Sequence, residues 1–333
     1  MKQLFNEGYS LDTIYSDLTD AARQYWFGLM ASALCLALAA PQIAVAQINL
    51  DAVFVANAGN ADDSTGFGGV DYDYYVGAYE VTNAQYNAFL NAAAATDTYD
   101  LYDLNMGSHP QGGINRAGTS GSYTYGVKSG FENRPVNYVN FWDAARFTNW
   151  LTSGDTEDGV YVLTPTGIAE NTITRDSAAW ANGGIAVASE DEWYKAAYYD
   201  GNGGYTLFAT QTDERITTSD ANFASSGPVD VGNYPTSSHY GTFDQSGNLW
   251  ETVDTIVNGN SRVLRGGGYD SSAPANLEST QSRIDTVTAD FGNVNIGFRV
   301  ASLQEFTQVP EPSADAAILG FLGLSLALVR RKR

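Results

Sequence analysis

The segment RGGGYDSSAPAN, residues 265–276, combines residue types that could form the floor of a binding or active site. Its first six residues form the candidate pocket: Arg265, Gly266, Gly267, Gly268, Tyr269 and Asp270. Consecutive glycines permit backbone conformations and close approaches that other side chains prevent. The segment therefore predicts either a ligand pocket or a tight crossing of the backbone in which the arginine is a buried hydrogen-bond donor.

Three capped helices are predicted to position this segment. Thr82 with Gln85, and Ser189 with Glu192, have the spacing of capping boxes, and Asn140 is a good N-cap residue. Apolar residues follow each cap at helical spacing. We expect them to face the core: Tyr86, Phe89 and Leu90; Ala144, Phe147 and Leu151; Trp193, Ala196 and Ala197.

The rest of the core has little regular periodicity. One strand is predicted at Tyr74–Tyr79, residues 99–130 are predicted to be a long irregular excursion, and residues 206–300 read as short strands and turns. The chain has 34 glycines and 21 tyrosines. Together these features predict an α+β fold with few regular elements and much ordered loop.

The ends of the chain are predicted to be targeting segments. Residues 27–45 are apolar and end in Ala44-Val45-Ala46, which predicts a signal peptide over residues 1–46, with a retained N-terminal membrane helix as the alternative. At the other end, Pro310-Glu311-Pro312 precedes an apolar run and a basic tail, which predicts a membrane helix over residues 313–333.

This C-terminal array closely resembles the PEP-CTERM sorting signal of exported bacterial proteins. The resemblance implies cleavage or transfer by an exosortase, while the Ala44-Val45-Ala46 pattern predicts cleavage by signal peptidase before Gln47. The resemblance also implies a Gram-negative host that secretes polysaccharide, and a surface or extracellular location with at least transient anchoring by the C-terminal helix. Between the ends we expect an acidic lead-in at 47–69, a domain at 70–303 and a linker at 304–312.

Charge and cysteine content exclude several functions for the core. The two ends hold six of the 17 Lys/Arg and six of the 38 Asp/Glu, so residues 47–308 keep the whole net charge of −21. That surface would repel nucleic acid and favours solubility and cations. The only cysteine, Cys35, lies in the predicted signal peptide, so the core has no thiol for a disulfide, a zinc site or a nucleophile.

Six ordered motifs between about residues 70 and 303 resemble the formylglycine-generating enzyme family, also called the sulfatase-modifying-factor domain. The motifs are Glu80-Val81-Thr82-Asn83; Arg134-Pro135-Val136 with Trp142; Ser189-Glu190-Asp191-Glu192-Trp193; Gly247-Asn248-Leu249-Trp250-Glu251; Arg265-Gly266-Gly267; and Gly297-Phe298-Arg299. The resemblance implies a loop-rich variant of the C-type-lectin-like fold.

The resemblance also implies copper-dependent oxidation by two active-site cysteines, but this chain departs from the family there. The matching positions are Ser271 and, on or near, Asn276. A hydroxyl and an amide are poor ligands for copper(I), and neither exchanges with disulfides. We therefore expect no copper and no formylglycine formation by that mechanism. The two core histidines, His109 and His239, lack the spacing of a ligand pair, which disfavours an iron-dependent branch of the family.

A structural calcium ion is a further implication of the resemblance. Its ligands here would be the side chains of Asp244 and Glu251 with the carbonyl oxygens of Gly247 and Leu249. The alternative is that the two carboxylates only cap turns.

The sequence as a whole predicts an exported binding or structural module, with exopolysaccharide or another surface protein as its partner. The alternative is a divergent oxidoreductase that uses another metal or cofactor.

Overall fold

The computed structural model describes residues 47–259, 261–306 and 308–310, which all lie in one compact unit. The helices are α1 (Asn83–Ala93), α2 (Leu104–Ser108), α3 (Phe141–Ser153), α4 (Pro165–Glu170), α5 (Ser177–Ala181) and α6 (Glu190–Tyr198), with a 3₁₀ turn at Pro274–Leu277. The strands are β1 (Gln47–Asn49), β2 (Ala52–Val55), β3 (Tyr74–Gly77), β4 (Ile114–Ala117), β5 (Thr124–Val127), β6 (Ala186–Val187), β7 (Trp250–Val257), β8 (Ser261–Arg265), β9 (Arg283–Thr288), β10 (Ile296–Gly297), β11 (Val300–Ser302) and β12 (Gln308–Pro310).

Two four-stranded sheets organise the described residues. The first has the order β2-β3-β11-β6 and is antiparallel, and the second has the order β10-β7-β8-β9, in which only β10 and β7 run parallel. β4 and β5 form a hairpin, and β1 pairs with β12 so that Gln47 lies opposite Pro310. Many short elements joined by long ordered loops make this the α+β, loop-rich fold that the sequence predicts.

The three predicted helices are confirmed as α1, α3 and α6. Thr82 and Ser189 form the predicted capping boxes, and Asn140 caps α3 through a box completed by Asp143. α1 and α3 pack through an aromatic core in which the Phe89 ring lies 5.5 Å from that of Phe147. Helix boundaries were readable because cap side chains and apolar spacing agree locally.

The prediction of an irregular excursion over residues 99–130 is wrong. This stretch contains α2 and the β4–β5 hairpin, and the side chains of Tyr102 and Tyr125 are buried. Arg116 stacks on Tyr102 and Tyr123 at 4.7 and 4.3 Å from the ring centres. Tertiary packing of aromatic residues, which leaves no local period in the sequence, orders this segment.

Helices that could cross a membrane are absent among the described residues. The predicted signal peptide at 1–46 and the predicted helix at 313–333 lie outside them.

Candidate functional site

The glycine-rich turn after β8 is a tight backbone crossing. Gly266 and Gly267 adopt φ angles of 97° and 77°, a left-handed region that L side chains rarely enter. A β-carbon on Gly266 would lie 3.2 Å from the ring of Trp193, and one on Gly267 would lie 2.3 Å from the Leu277 side chain. At both glycines, the space that a side chain would take is therefore filled by other residues of the protein.

Arg265 belongs to the core rather than to an open pocket. Its side chain is buried, and its Nε atom donates a hydrogen bond to Glu190 Oε1 at 2.8 Å within an ion pair. Arg283 contacts the same carboxylate oxygen through Nε at 2.7 Å. Because Glu190 is the first residue of α6, Arg265 fastens that helix to β8. Of the two predicted roles for Arg265, the geometry supports the buried donor.

Atoms of Ser271 and Asn276 both lie close to Gly267. The Ser271 hydroxyl oxygen and the Asn276 backbone oxygen are 3.3 and 3.1 Å from the point where a β-carbon on Gly267 would lie. The Ser271 hydroxyl accepts a hydrogen bond from the Gly268 N–H at 3.1 Å, which closes the turn. Asn276 is exposed on the 3₁₀ turn. The two positions that match the family cysteines thus lie close to the same glycine. The Ser271 hydroxyl oxygen already accepts a hydrogen bond within the turn.

A set of side chains borders this turn, and we call it the tyrosine rim; all but Asp270 are half-buried or buried. Its members are His109, Tyr138, Trp250, Tyr269 and Asp270. Tyr269 and Tyr138 are only 6% and 9% exposed, and the rings of His109 and Tyr138 lie 5.6 Å apart. The Asp270 carboxylate is exposed and accepts a hydrogen bond from the Asn295 amide at 2.9 Å. The rim therefore combines aromatic side chains with one exposed carboxylate.

Tyr138 is held in an unusual backbone conformation. Its φ angle is 60°, which is rare for a bulky residue and persists only where the surroundings enforce it. The neighbouring Asn137 amide donates to the backbone oxygens of Gln111 and Val294 at 3.0 and 2.8 Å, and the Tyr138 N–H donates to Asn293. Three loops are thereby locked together to present this ring, a feature that the sequence did not reveal.

The two tyrosines of the rim have raised pKa values. Burial raises the pKa of Tyr269, and the neighbouring Asp270 and Tyr138 raise it further. Burial also raises the pKa of Tyr138, with Asp103 at the start of α2 adding to the effect. Both phenols therefore stay protonated and can donate hydrogen bonds at neutral pH.

Two of the four predicted calcium ligands, Asp244 and Glu251, interact with Arg299. Both Glu251 oxygens bind the Arg299 guanidinium at 2.6 Å, and the Trp193 indole donates to one of them at 2.8 Å. Asp244 accepts a hydrogen bond from the Gly232 N–H at 2.6 Å, and burial raises its pKa to about 6. The Leu249 N–H donates to the Glu80 carboxylate at 3.3 Å.

The Glu251 carboxylate, one of the predicted calcium ligands, is already paired with Arg299. Gly247 packs so tightly on the Asn222 backbone that a β-carbon would lie 2.4 Å from its oxygen. Within the described ranges no group of three or more His, Cys, Asp or Glu residues forms a metal-binding cluster. The observed role of Glu251 is the ion pair, and calcium binding stays a prediction.

A separate cleft lies away from the glycine-rich turn. It has a volume of about 350 Å³ and opens between β1 and α1, where Ile48, Tyr79, Glu80 and Gln85 line it. None of the residues from the glycine-rich turn borders it.

The fold and the network of motif residues define an α+β domain. At its glycine-rich turn, the positions that match the two family cysteines hold Ser271 and Asn276 instead. The sulfatase-modifying factor enzyme 1-like domain family matches residues 69–303, and the chain belongs to this family. The predicted family and fold are confirmed.

Solved structures with the same fold include CarF and a variable protein of Treponema denticola. The CarF structure is 21% identical with a TM-score of 0.52, and the match covers 77% of this chain and 99% of that one. Treponema denticola variable protein 1 is 19% identical with a TM-score of 0.50, and the match covers 78% of this chain and 97% of that one. These similarities show the fold alone. A search of curated proteins finds no match.

Proposed function

We propose that this protein is an exported binding module of the cell surface or extracellular matrix. The observation that carries the proposal is the state of the glycine-rich turn. Ser271 and Asn276 flank Gly267 where the family resemblance places redox cysteines, and neither residue supplies sulfur. This domain keeps the structural motifs of its family but lacks the redox groups. A role as a binding module explains that combination best.

The tyrosine rim is the proposed binding surface. Its phenols are fixed by their buried rings, so a ligand would gain hydrogen bonds at little cost in side-chain entropy. Exopolysaccharide or another surface protein is the proposed partner, in keeping with the predicted sorting signal. Export through signal peptidase and an exosortase, and transient anchoring by residues 313–333, rest on the sequence patterns at the two ends.

A binding screen of the full chain in mild detergent tests the proposal. A panel of glycans and peptides would be offered with and without a chelator, to the wild type, to a Tyr138→Phe/Tyr269→Phe variant and to Tyr75→Phe. Tyr75 on β3 packs on Phe54 of the neighbouring strand β2 and is the matched control. We expect a ligand whose affinity falls about tenfold or more, at least 1.4 kcal/mol, in the double variant only. No binding to any member of the panel would refute a binding module.

The alternative oxidoreductase is addressed by metal analysis of the same preparation. Stoichiometric copper or iron would argue against the proposal, whereas calcium alone would agree with the predicted structural ion.

A further inference from the structure

Strands β1 and β12 place the two ends of the described residues side by side. Their antiparallel register sets Gln47 opposite Pro310 and Ile48 opposite Val309. Directly opposed residues of such a ladder alternate between a pair that exchanges two hydrogen bonds and a pair that exchanges none. Because Pro310 has no N–H to donate, the hydrogen-bonded pair is Ile48 with Val309. The backbone of β12 is therefore occupied by β1.

β1 is itself fastened to the domain. The side chains of Ile48 and Leu50 are each only 4% exposed and belong to the main apolar core. The Gln85 amide in the first turn of α1 donates a hydrogen bond to the Asn49 backbone oxygen at 2.6 Å. Phe306, which lies between β11 and β12, is 6% exposed and packs in the same core. The stretch that leads to the C-terminal tail is thus held first at Phe306 and again at β12.

This arrangement restricts how the tail can be cut off. An extended peptide is recognised through the same backbone N–H and C=O groups that a β-ladder uses, and in β12 these groups pair with β1. Resting on the proposed export and processing of the chain, we propose that β1 is a clamp: β12 must leave β1 before a processing enzyme can bind the segment Pro310-Glu311-Pro312. The rate of cutting then follows the population in which the two strands are separated.

A reversible cross-link tests the clamp. Asn49 and Gln308 form the next directly opposed pair, without hydrogen bonds, for which a Cα separation of about 4.5 Å is expected, within the range of a disulfide. The only natural cysteine is Cys35. Asn49→Cys/Gln308→Cys in a Cys35→Ser background can therefore form one defined disulfide, which reduction opens again.

Chymotrypsin reports release of β12, because the buried Phe306 ring must leave the core before the protease can bind it. The full chain in mild detergent would be treated with a low protease concentration, and the hydrolysis product that ends at Phe306 would be followed by mass spectrometry. We expect this cut to be at least about tenfold slower in the oxidised protein than in the reduced one. Cutting after Phe291, which is 44% exposed, should not differ between the two forms.

A second variant loosens the clamp instead of locking it. Gln85→Glu keeps the acceptor for the Thr82 N–H in the capping box but removes the donor to the Asn49 backbone oxygen. Loss of this hydrogen bond should speed the cut at Phe306 about two- to tenfold. Gln281→Glu adds the same charge at an exposed side chain and should leave the rate as it is.

Three outcomes would overturn the clamp: a disulfide that does not form under oxidant, equal cutting rates in the oxidised and reduced proteins, or equal rates in the two glutamate variants. Neither β1 nor β12 contributes a residue to the tyrosine rim. The clamp can therefore fail while the binding module stands, and the binding screen can fail while the clamp stands.

Discussion

Single residues of the glycine-rich turn act through the backbone. Gly267 is needed both because its φ angle is positive and because Leu277 occupies the space of a β-carbon. Gly121 has a φ angle of 91° but open space around it, so it separates the two effects.

Gly267→Ala should therefore destabilise the protein more than Gly121→Ala. The second substitution carries only the conformational cost of about 1 kcal/mol, whereas the first adds overpacking of about 1–3 kcal/mol. Urea unfolding followed by fluorescence would measure both. Equal losses would show that Leu277 moves aside without cost.

Among the elements, α3 has a capping box that contains a titratable residue, Asp143. Asp143 lies in the first turn of the helix, is buried, and accepts a hydrogen bond from the Asn140 N–H at 3.0 Å. Burial raises its pKa from 3.8 to about 8, although this hydrogen bond and Arg146 oppose the shift.

The shift predicts that stability falls with pH. Because the folded-state pKa lies above the unfolded one, the folded chain binds the proton more tightly, and the stabilisation is fully present below about pH 4 and lost as the pH rises through about 8. The slope should approach about 1.4 kcal/mol per pH unit in this window. Asp143→Asn keeps an acceptor for Asn140 and should flatten the curve.

Denaturant unfolding at pH 5, 6, 7 and 8 would measure that slope. Asp158→Asn, at an exposed aspartate, is the control and should leave the curve as it is. An unchanged slope in the Asp143 variant would mean that the carboxyl is ionised in the folded protein.

At the scale of the whole molecule, one ion pair joins the two main sheets. Glu251 lies on β7, and Arg299 precedes β11 and also donates to the Gly77 backbone oxygen of β3 at 3.0 Å. Both side chains are completely buried. By contrast, Asp285, which pairs with Arg283, is 42% exposed.

Arg299→Met should cost about 3–5 kcal/mol of unfolding free energy, because it leaves the buried Glu251 charge unpaired. Asp285→Asn should change it by less than about 1 kcal/mol. Arg299→Met/Glu251→Leu, which removes both charges, should recover part of the loss. Thermal unfolding of the three variants compares them, and a small loss in Arg299→Met alone would contradict the bridging role.

The sequence by itself determined the features whose signal is local. Thr82, Asn140 and Ser189 mark helix starts because a cap and the apolar residues after it lie within one turn. The family was recognised from short motifs, among them Glu80-Val81-Thr82-Asn83, Gly247 to Glu251 and Gly297-Phe298-Arg299. In the structure, residues of these motifs meet in one buried network. The absence of core cysteines also needed no structure.

Only the tertiary structure decided which residues surround the glycine-rich turn. Tyr138 and His109 are more than 120 residues away from Tyr269 in the chain and have no shared pattern with it. The positive φ of Tyr138 is imposed by Asn137 and by loops distant in sequence. Arg265 likewise proved to be a core residue because its partner, Glu190, comes from another element. Local propensity determines caps and turns. The groups that face one another across a site are brought together by long-range packing, which leaves no local periodic pattern in a single sequence.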